Sequence, residues 1–495
     1  MFSRRRIGLL CLAAAAFPFL GADSVTAQEK KSAKAAAKVL KAGAATSNIT
    51  PPLGGLIVGG FNPFPSTHIH DELHARCLVL DNGEQRVAIV VCDLLGADYS
   101  VYEEAAKLIQ EATEIPRSHV MMSSTHTHSA VSALGKDRFK YPQTDLDEYQ
   151  LFVARRIADG VRRAVNNLQP ARIAWGAGQE PNQVFNRRWF MKPGTVPVNP
   201  FGGQDQVKMN PPRASENLVK PAGPIDPEVA ILSVQSKEGK PLALLANYSL
   251  HYVGGVGSGH VSADYFAMFC QRMAELVQQK DQDPPFVALL SNGTSGNINN
   301  IDFSKPAAKS GGAYTKMREV ADDVARATHA ALKDLEYHDW VPLGAQYREL
   351  ELATRKPTPE QLQRATELVA KPRLIGGRTA LDVIYAERTL AMNQYPPTIA
   401  VPIQALRVGD VGICGSPFET FVETGLELKE KSPLKRTFTH SIANGYFGYL
   451  PTPEHHALGG YETWLGTNRF EVQASVKMTA ALLEMLNKLA GEVGT

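Results

Sequence analysis

Two histidines two positions apart follow a short apolar run in Val120-Met121-Met122-Ser123-Ser124-Thr125-His126-Thr127-His128-Ser129. In an extended backbone, residues two apart point to the same face. The spacing therefore predicts that His126 and His128 share one face at the mouth of a strand. One imidazole could then bind a metal and the other serve a substrate, with serine and threonine hydroxyls as outer partners. That is the chemistry of a hydrolytic metal centre. The competing reading is a polar loop with two exposed histidines, so other residues must decide.

Similar polar runs follow other apolar segments. Asp93 follows Val87 to Cys92, as a ligand or as a turn or capping residue. Leu242 to Tyr248 runs into His251, then a glycine-rich loop to His260 and Ser262-Ala263-Asp264. Phe286 to Leu290 runs into the glycine and amide loop Ser291 to Asn300, in which Ser295, Asn297 and Asn299 stand. Val411 to Cys414 runs into Gly415-Ser416-Pro417-Phe418-Glu419-Thr420 and an amphipathic helix, Phe421 to Lys431. Helices are expected over Tyr102 to Ala112 and Leu146 to Leu168, with strands over Cys77 to Leu80, Arg86 to Cys92 and His119 to Met122.

The alternation predicts an α/β fold: a large mixed sheet flanked by helices, with the site in the loops at the strand ends. Two Gly/Pro-rich stretches, Lys192 to Asp226 and Phe303 to Tyr314, are too long for simple connections and suit segments that cover a site. Two more helical patterns, Glu360 to Ala370 and Ala380 to Met392, precede the last strands. No internal repeat is visible in the sequence, and no linker marks a second folded domain.

Composition bounds the class. With 44% apolar and 21% charged residues the chain is of globular type, and a net charge of +2 without a basic stripe excludes a nucleic-acid partner. Residues 1–27 read as an export signal: Arg4-Arg5-Arg6, the apolar core Ile7 to Leu20, and a small-residue end at Val25-Thr26-Ala27. The arginines also fit a loose twin-arginine pattern, so a periplasmic or extracellular location is expected by either route. Residues 28–41 form a Lys/Ala-rich leader expected to lie outside the fold, which then occupies 42–495. Beyond Cys11 in the signal, Cys77, Cys92, Cys270 and Cys414 are widely spaced, which argues against a thiolate zinc site or a disulfide scaffold and leaves room for one or two isolated bridges.

Several blocks in a fixed order carry a family resemblance: Asn48-Ile49-Thr50-Pro51, Thr125 to Ser129, Asn186-Arg187, His251 with Ser262-Ala263-Asp264, Pro417-Phe418-Glu419, and Asn444 to Tyr449 with Tyr461-Glu462. The chain resembles the catalytic domain of the neutral/alkaline non-lysosomal ceramidases over nearly its whole mature length. The family's C-terminal immunoglobulin-like domain is expected to have no counterpart in it. The resemblance implies a zinc ion held by His126, His251, Glu419 and Tyr449, with His128 moving a proton beside the scissile amide. It further implies that Tyr461 binds the carbonyl oxygen and that Arg187 sits at the polar end of the cleft. His455 and His456, between Tyr449 and Tyr461, look like exposed loop histidines.

One block departs from the family. Its Gly-Asp-Val-Ser-Pro-Asn aligns with Gly296-Asn297-Ile298-Asn299-Asn300-Ile301, which puts Asn299 at the family serine and Asn297 at the aspartate, with Ser295 nearby. An amide can orient water or donate to an oxyanion but is no nucleophile. The leading reading is an exported zinc-dependent hydrolase of a linear amide in a small amphiphilic substrate, an N-acylsphingosine or related N-acyl lipid, with contact to a membrane surface. The alternatives are a zinc hydrolase of another ester or N-acyl compound, such as an envelope or glycan component, and a non-catalytic lipid- or glycan-binding protein.

Overall fold

A computed structural model describes residues 38–135, 141, 145–278, 282–307 and 311–491. The export signal and most of the leader lie outside these residues. The fold begins before the expected boundary: Leu40 is fully buried and Lys41 already opens the first strand, so the leader cannot extend to residue 41.

The first elements are β1 (Lys41–Asn48), β2 (His74–Asp81), β3 (Arg86–Cys92), α1 (Tyr99–Thr113), β4 (Val120–Ser124) and α2 (Glu148–Asn166). Buried runs such as Val87 to Cys92 read as strands because both sheet faces are covered. The helices start at side-chain caps: Asp98 accepts from the Ser100 amide, and Asp147 forms a capping box with Gln150. Strands β1, β2 and β3 pair antiparallel in succession, and β3 pairs parallel with β4 across the α1 crossover.

The same order and pairing then recur. The second unit has β5 (Gln169–Gln179), β6 (Glu228–Ser236), β7 (Pro241–Tyr248), α3 (Asp264–Leu276), β8 (Val287–Asn292) and α4 (Thr315–Ala331), with two antiparallel pairings and then β7 parallel to β8. In the third, β9 (Leu343–Ala353) is followed by two inserted helices, α5 (Pro359–Ala370) and α6 (Leu381–Gln394). Then come β10 (Thr398–Val408), β11 (Val411–Gly415), α7 (Val422–Lys431), β12 (Arg436–His440), α8 (Pro453–Leu458) and the closing α9 (Ala474–Gly491). Its pairing senses match the other two units. The expectation of no repeat is therefore corrected at the level of topology: the recurrence lives in pairing order and not in residue identity.

The first two units share an eight-stranded sheet through a short antiparallel contact at the starts of β1 and β5. All three units contribute to one central apolar cluster, with Leu78, Ile89 and Met121 from the first, Leu232, Leu245 and Leu289 from the second, and Leu406, Ile413 and Phe438 from the third. Each fully buried side chain of this kind contributes roughly 1.5–3 kcal/mol. In every unit the first, third and fourth strands point the same way, so the connections that follow them leave from one edge. The fourth-strand ends are tied together: the Ser124 amide donates to Ile442 O at 3.1 Å, the Ser441 amide to Asn292 O at 3.0 Å, and the Asn292 side chain to Thr125 O at 3.0 Å.

Candidate metal centre

That convergence assembles the site. The fourth-strand loop of the first unit brings His126 and His128, the third-strand loop of the second brings His251, and the third unit supplies Glu419 after β11 and Tyr446 and Tyr449 after β12. His126 Nε2 lies 3.3 Å and His251 Nε2 3.5 Å from Glu419 Oε2, and the two rings are 4.7 Å apart edge to face. All three side chains are buried.

The expectation of a shared strand face is corrected here. Strand β4 ends at Ser124, and His126 has φ +69°, a left-handed conformation uncommon for a β-substituted residue. Its amide donates to Leu94 O at 2.9 Å, which holds the turn. The two imidazoles still meet, with Nε2 atoms 3.1 Å apart, because the turn and not the pleat aims them. Strain of this kind concentrates at functional sites.

The donor set fits a zinc ion. His126 Nδ1–H donates to Leu95 O at 2.7 Å and His251 Nδ1–H to Ser295 O at 3.0 Å, so each Nε2 faces inward as a lone pair. Among the described residues His251 Nε2 and Glu419 Oε2 are buried without a hydrogen-bond partner. Two ligands about 2.1 Å from a tetrahedral zinc stand about 3.4 Å apart, which matches the spacings above. Burial drives the His251 imidazolium well below its ordinary range, and the Arg187, His126 and His128 charges add to this, so the ring is held neutral for coordination. Burial alone would raise the Glu419 carboxyl, but its contacts with His126 and with the Tyr446 and Tyr449 hydroxyls outweigh this and lower it.

Around this centre several residues were not assigned from sequence. The Tyr446 hydroxyl donates to Glu419 Oε1 at 2.6 Å. Glu462 is fully buried and accepts from Arg187 Nε at 3.0 Å and from Arg188 Nη1 at 2.6 Å. Its place beside Tyr461 in the last family block was the available signal. Arg388 on α6 and Phe61 enter the wall of a cleft of about 90 Å³, together with His126, His128, Glu419, Tyr449 and Tyr461. Through Arg388 the inserted helix α6 thus narrows the cleft. Tyr252 stacks on the His128 ring at 3.7 Å.

The expected site residues separate by position. His126, His128, His251, Glu419, Tyr449 and Tyr461 come together. Arg187 lies behind Tyr449, whose hydroxyl accepts from its guanidinium at 3.0 Å, and is not among the residues lining the cleft. Asn299 pairs with Phe185 and donates to Asn210 Oδ1 at 3.2 Å, also outside the cleft lining. Ser295 sits closer: its carbonyl holds His251 and its hydroxyl donates to Asn292 at 2.7 Å. Asn297 accepts from the Val422 amide at the start of α7 and donates to Glu423 at 2.9 Å, where an aspartate would meet a like charge. Asp93 Oδ2 pairs with Arg76 and accepts from the His74 amide.

His455 and His456 are not exposed loop residues: they lie on α8, where His455 is buried and pairs with Glu423 at 2.9 Å, and burial pushes His456 down to about 4. The stretch Lys192 to Asp226 carries two short strands, Val207–Met209 and Leu218–Pro221, flanking Arg188–Met191.

The family model described as neutral/alkaline non-lysosomal ceramidase, N-terminal, matches residues 40–305. The neutral ceramidase of Pseudomonas aeruginosa is 24% identical over 428 residues, covering 74% of this chain and 60% of that relative. This chain therefore spans about 60% of the length of the curated relative. The crystal structure of neutral ceramidase from Pseudomonas aeruginosa matches with a TM-score of 0.68 at 17% identity, over 92% of this chain and 75% of that one. A ceramidase complexed with C2 matches with a TM-score of 0.69 at 17% identity, over 92% and 76%. With the mixed α/β fold shared and more than half of the sequence matched, the chain belongs to the neutral/alkaline non-lysosomal ceramidase family.

Proposed function

We propose that the chain is an exported zinc-dependent hydrolase that cleaves the linear amide of an N-acyl lipid. The observation that carries this reading is the inward-facing set His126, His251 and Glu419 at tetrahedral-edge spacing, of which His126 and Glu419 line one cleft beside His128 and Tyr461. A zinc ion bound there would lower the pKa of water from 15.7 toward 7 and polarise a carbonyl oxygen. Tyr449 completes the donor set in this reading.

His128, steadied by the Tyr252 ring, takes the proton from the attacking water and delivers it to the leaving nitrogen. Burial raises the Tyr461 phenol, so it stays protonated at neutral pH and donates to the carbonyl oxygen as negative charge develops there. Arg187 holds the Tyr449 oxygen from behind and acts through it. Glu462 fixes both Arg187 and Arg188.

A second substrate reading rests on Arg388, whose guanidinium in the wall of a narrow cleft favours a polar or anionic headgroup on the N-acyl substrate. The test is hydrolysis of a panel of N-acyl lipids, N-acyl amino acids and acylated amino sugars by the purified protein. Turnover of at least one amide that chelator abolishes and zinc restores supports the proposal. Absence of turnover in zinc-loaded protein across the panel would leave a binding protein.

A further inference from the structure

Each unit carries an insertion between its first and second strands: residues 49–73, 180–227 and 354–397. Because the first strand ends at the same edge as the third and fourth, all three insertions rise beside the cleft. Each reaches the site: the first through Val58 and Phe61, the second through Arg187 and the third through Arg388. They also touch one another, with Phe61 and Tyr385 rings 6.3 Å apart and Phe201 and Tyr385 rings 5.8 Å apart.

Their outward surfaces are unusual. Among the described residues, nine of the twelve large apolar side chains that are strongly exposed belong to these insertions. Leu53, Leu56 and Phe64 project from the first, Val198 from the second, and Leu374 and Ile375, 68% and 67% exposed, from the third. Leu374 and Ile375 form one arm of a two-stranded hairpin closed by Gly376 and Gly377, both with positive φ as a tight primed turn requires. The tip sequence Lys371-Pro372-Arg373-Leu374-Ile375-Gly376-Gly377-Arg378 has three cations and no acid, and of these Arg373 is ion-paired with Asp382 of α6. Apolar tips flanked by cations suit an anionic bilayer, where each Lys or Arg near the surface adds to attraction and the tips bury among acyl chains.

We propose that the three insertions form a rim that docks the cleft onto an anionic lipid surface, with the Lys371 to Arg378 hairpin as its leading contact. This rests on the N-acyl lipid reading and names the surface from which that substrate is drawn. Continuity with the cleft supports it, since Phe61 spans from the rim to Tyr461 at 5.9 Å between ring centroids.

The experiment is vesicle flotation of the zinc-loaded full chain with phosphatidylglycerol/phosphatidylcholine and with pure phosphatidylcholine vesicles, alongside turnover of a soluble short-chain N-acyl substrate. Binding should be at least tenfold stronger to the anionic vesicles and fall at high salt. Leu374→Asp with Ile375→Asp, and separately Lys371→Glu with Arg378→Glu, should each lower it about tenfold while zinc content and soluble turnover stay unchanged. Phe64→Asp provides an independent check on the first insertion. Wild-type protein that turns over the soluble substrate but does not float, or variants that float as well as wild type, would overturn the docking rim. So would a dimer in ultracentrifugation that Leu374→Asp dissociates without any vesicle binding. Flotation that depends on these residues in a protein without hydrolytic activity would uphold the rim and refute the catalytic reading.

Discussion

The Arg187 guanidinium donates to the Tyr449 hydroxyl at 3.0 Å, with both side chains buried and the Arg187 carbon 5.5 Å from the Tyr449 ring centre. Burial pushes the Tyr449 phenol well above its ordinary range, while Arg187 pulls it down. The pair ties a second-unit insertion to Tyr449 of the third unit, the fourth ligand of the proposed zinc site, and Glu462 anchors its far end. Glu462→Gln would leave two buried guanidiniums sharing a neutral partner. It should lower unfolding free energy by about 3 kcal/mol or more, read by urea denaturation, because breaking a buried ion pair strands its partner. A change under about 1 kcal/mol would contradict this role.

The close approach of two units at Gly296 gives a second prediction. A Cβ there would sit 2.5 Å from the Glu419 carbonyl oxygen, and the Gly296 amide donates to Thr420 O at 2.8 Å. Gly296→Ala must therefore displace the strand that carries Glu419. Zinc affinity should fall at least tenfold in competition with a chromogenic chelator. Unchanged affinity would mean that Glu419 does not depend on this contact.

How much of this could be read in advance follows from the physics of each element. The strand Arg86–Cys92 has the expected bounds, and β7, β11 and α7 agree within a residue or two, because continuous apolar runs and helical periodicity are local signals. The placement of His126, His251 and Glu419 in strand-end loops was legible from the apolar runs before them, but their choice as one donor set came only through family order, since pairing between distant strands leaves no local mark. The turn at His126, the buried His455 and the Arg388 wall depend on tertiary packing. The threefold recurrence is equally silent: a sheet needs apolar faces and pairing partners, which many unrelated residues supply.

His128 and Ser295 divide the proton-transfer question. His128→Ala should reduce turnover roughly a hundredfold while zinc is retained, the scale for losing a general acid or base. Ser295→Ala should change it little, since the shorter contact to His251 Nδ1 is made by the Ser295 backbone carbonyl at 3.0 Å, against 3.5 Å for the hydroxyl. Loss of zinc in His128→Ala would reassign it as a ligand, and a large loss in Ser295→Ala would give that hydroxyl the chemical role.

Acid sensitivity should trace in part to His440. Its Nδ1 lies 3.0 Å from the Ser123 hydroxyl, and burial lowers it from 6.5 to about 3. A depressed folded pKa means that stability is fully present above about 6.5 and is lost as pH falls toward 3, at up to about 1.4 kcal/mol per pH unit. Urea titrations at pH 7, 6 and 5 with zinc saturating should show a shallower decline in His440→Gln than in wild type. Parallel declines would assign the acid loss to other groups.

The central claim is that loops from all three units close on one zinc ion. Zinc-edge anomalous diffraction from crystals of zinc-loaded protein tests it directly. The account predicts a single strong peak about 2.0–2.2 Å from His126 Nε2, His251 Nε2 and a Glu419 carboxylate oxygen, with the Tyr449 oxygen as a further ligand. A peak bound elsewhere, or no peak between these side chains in folded, zinc-loaded protein, would contradict it.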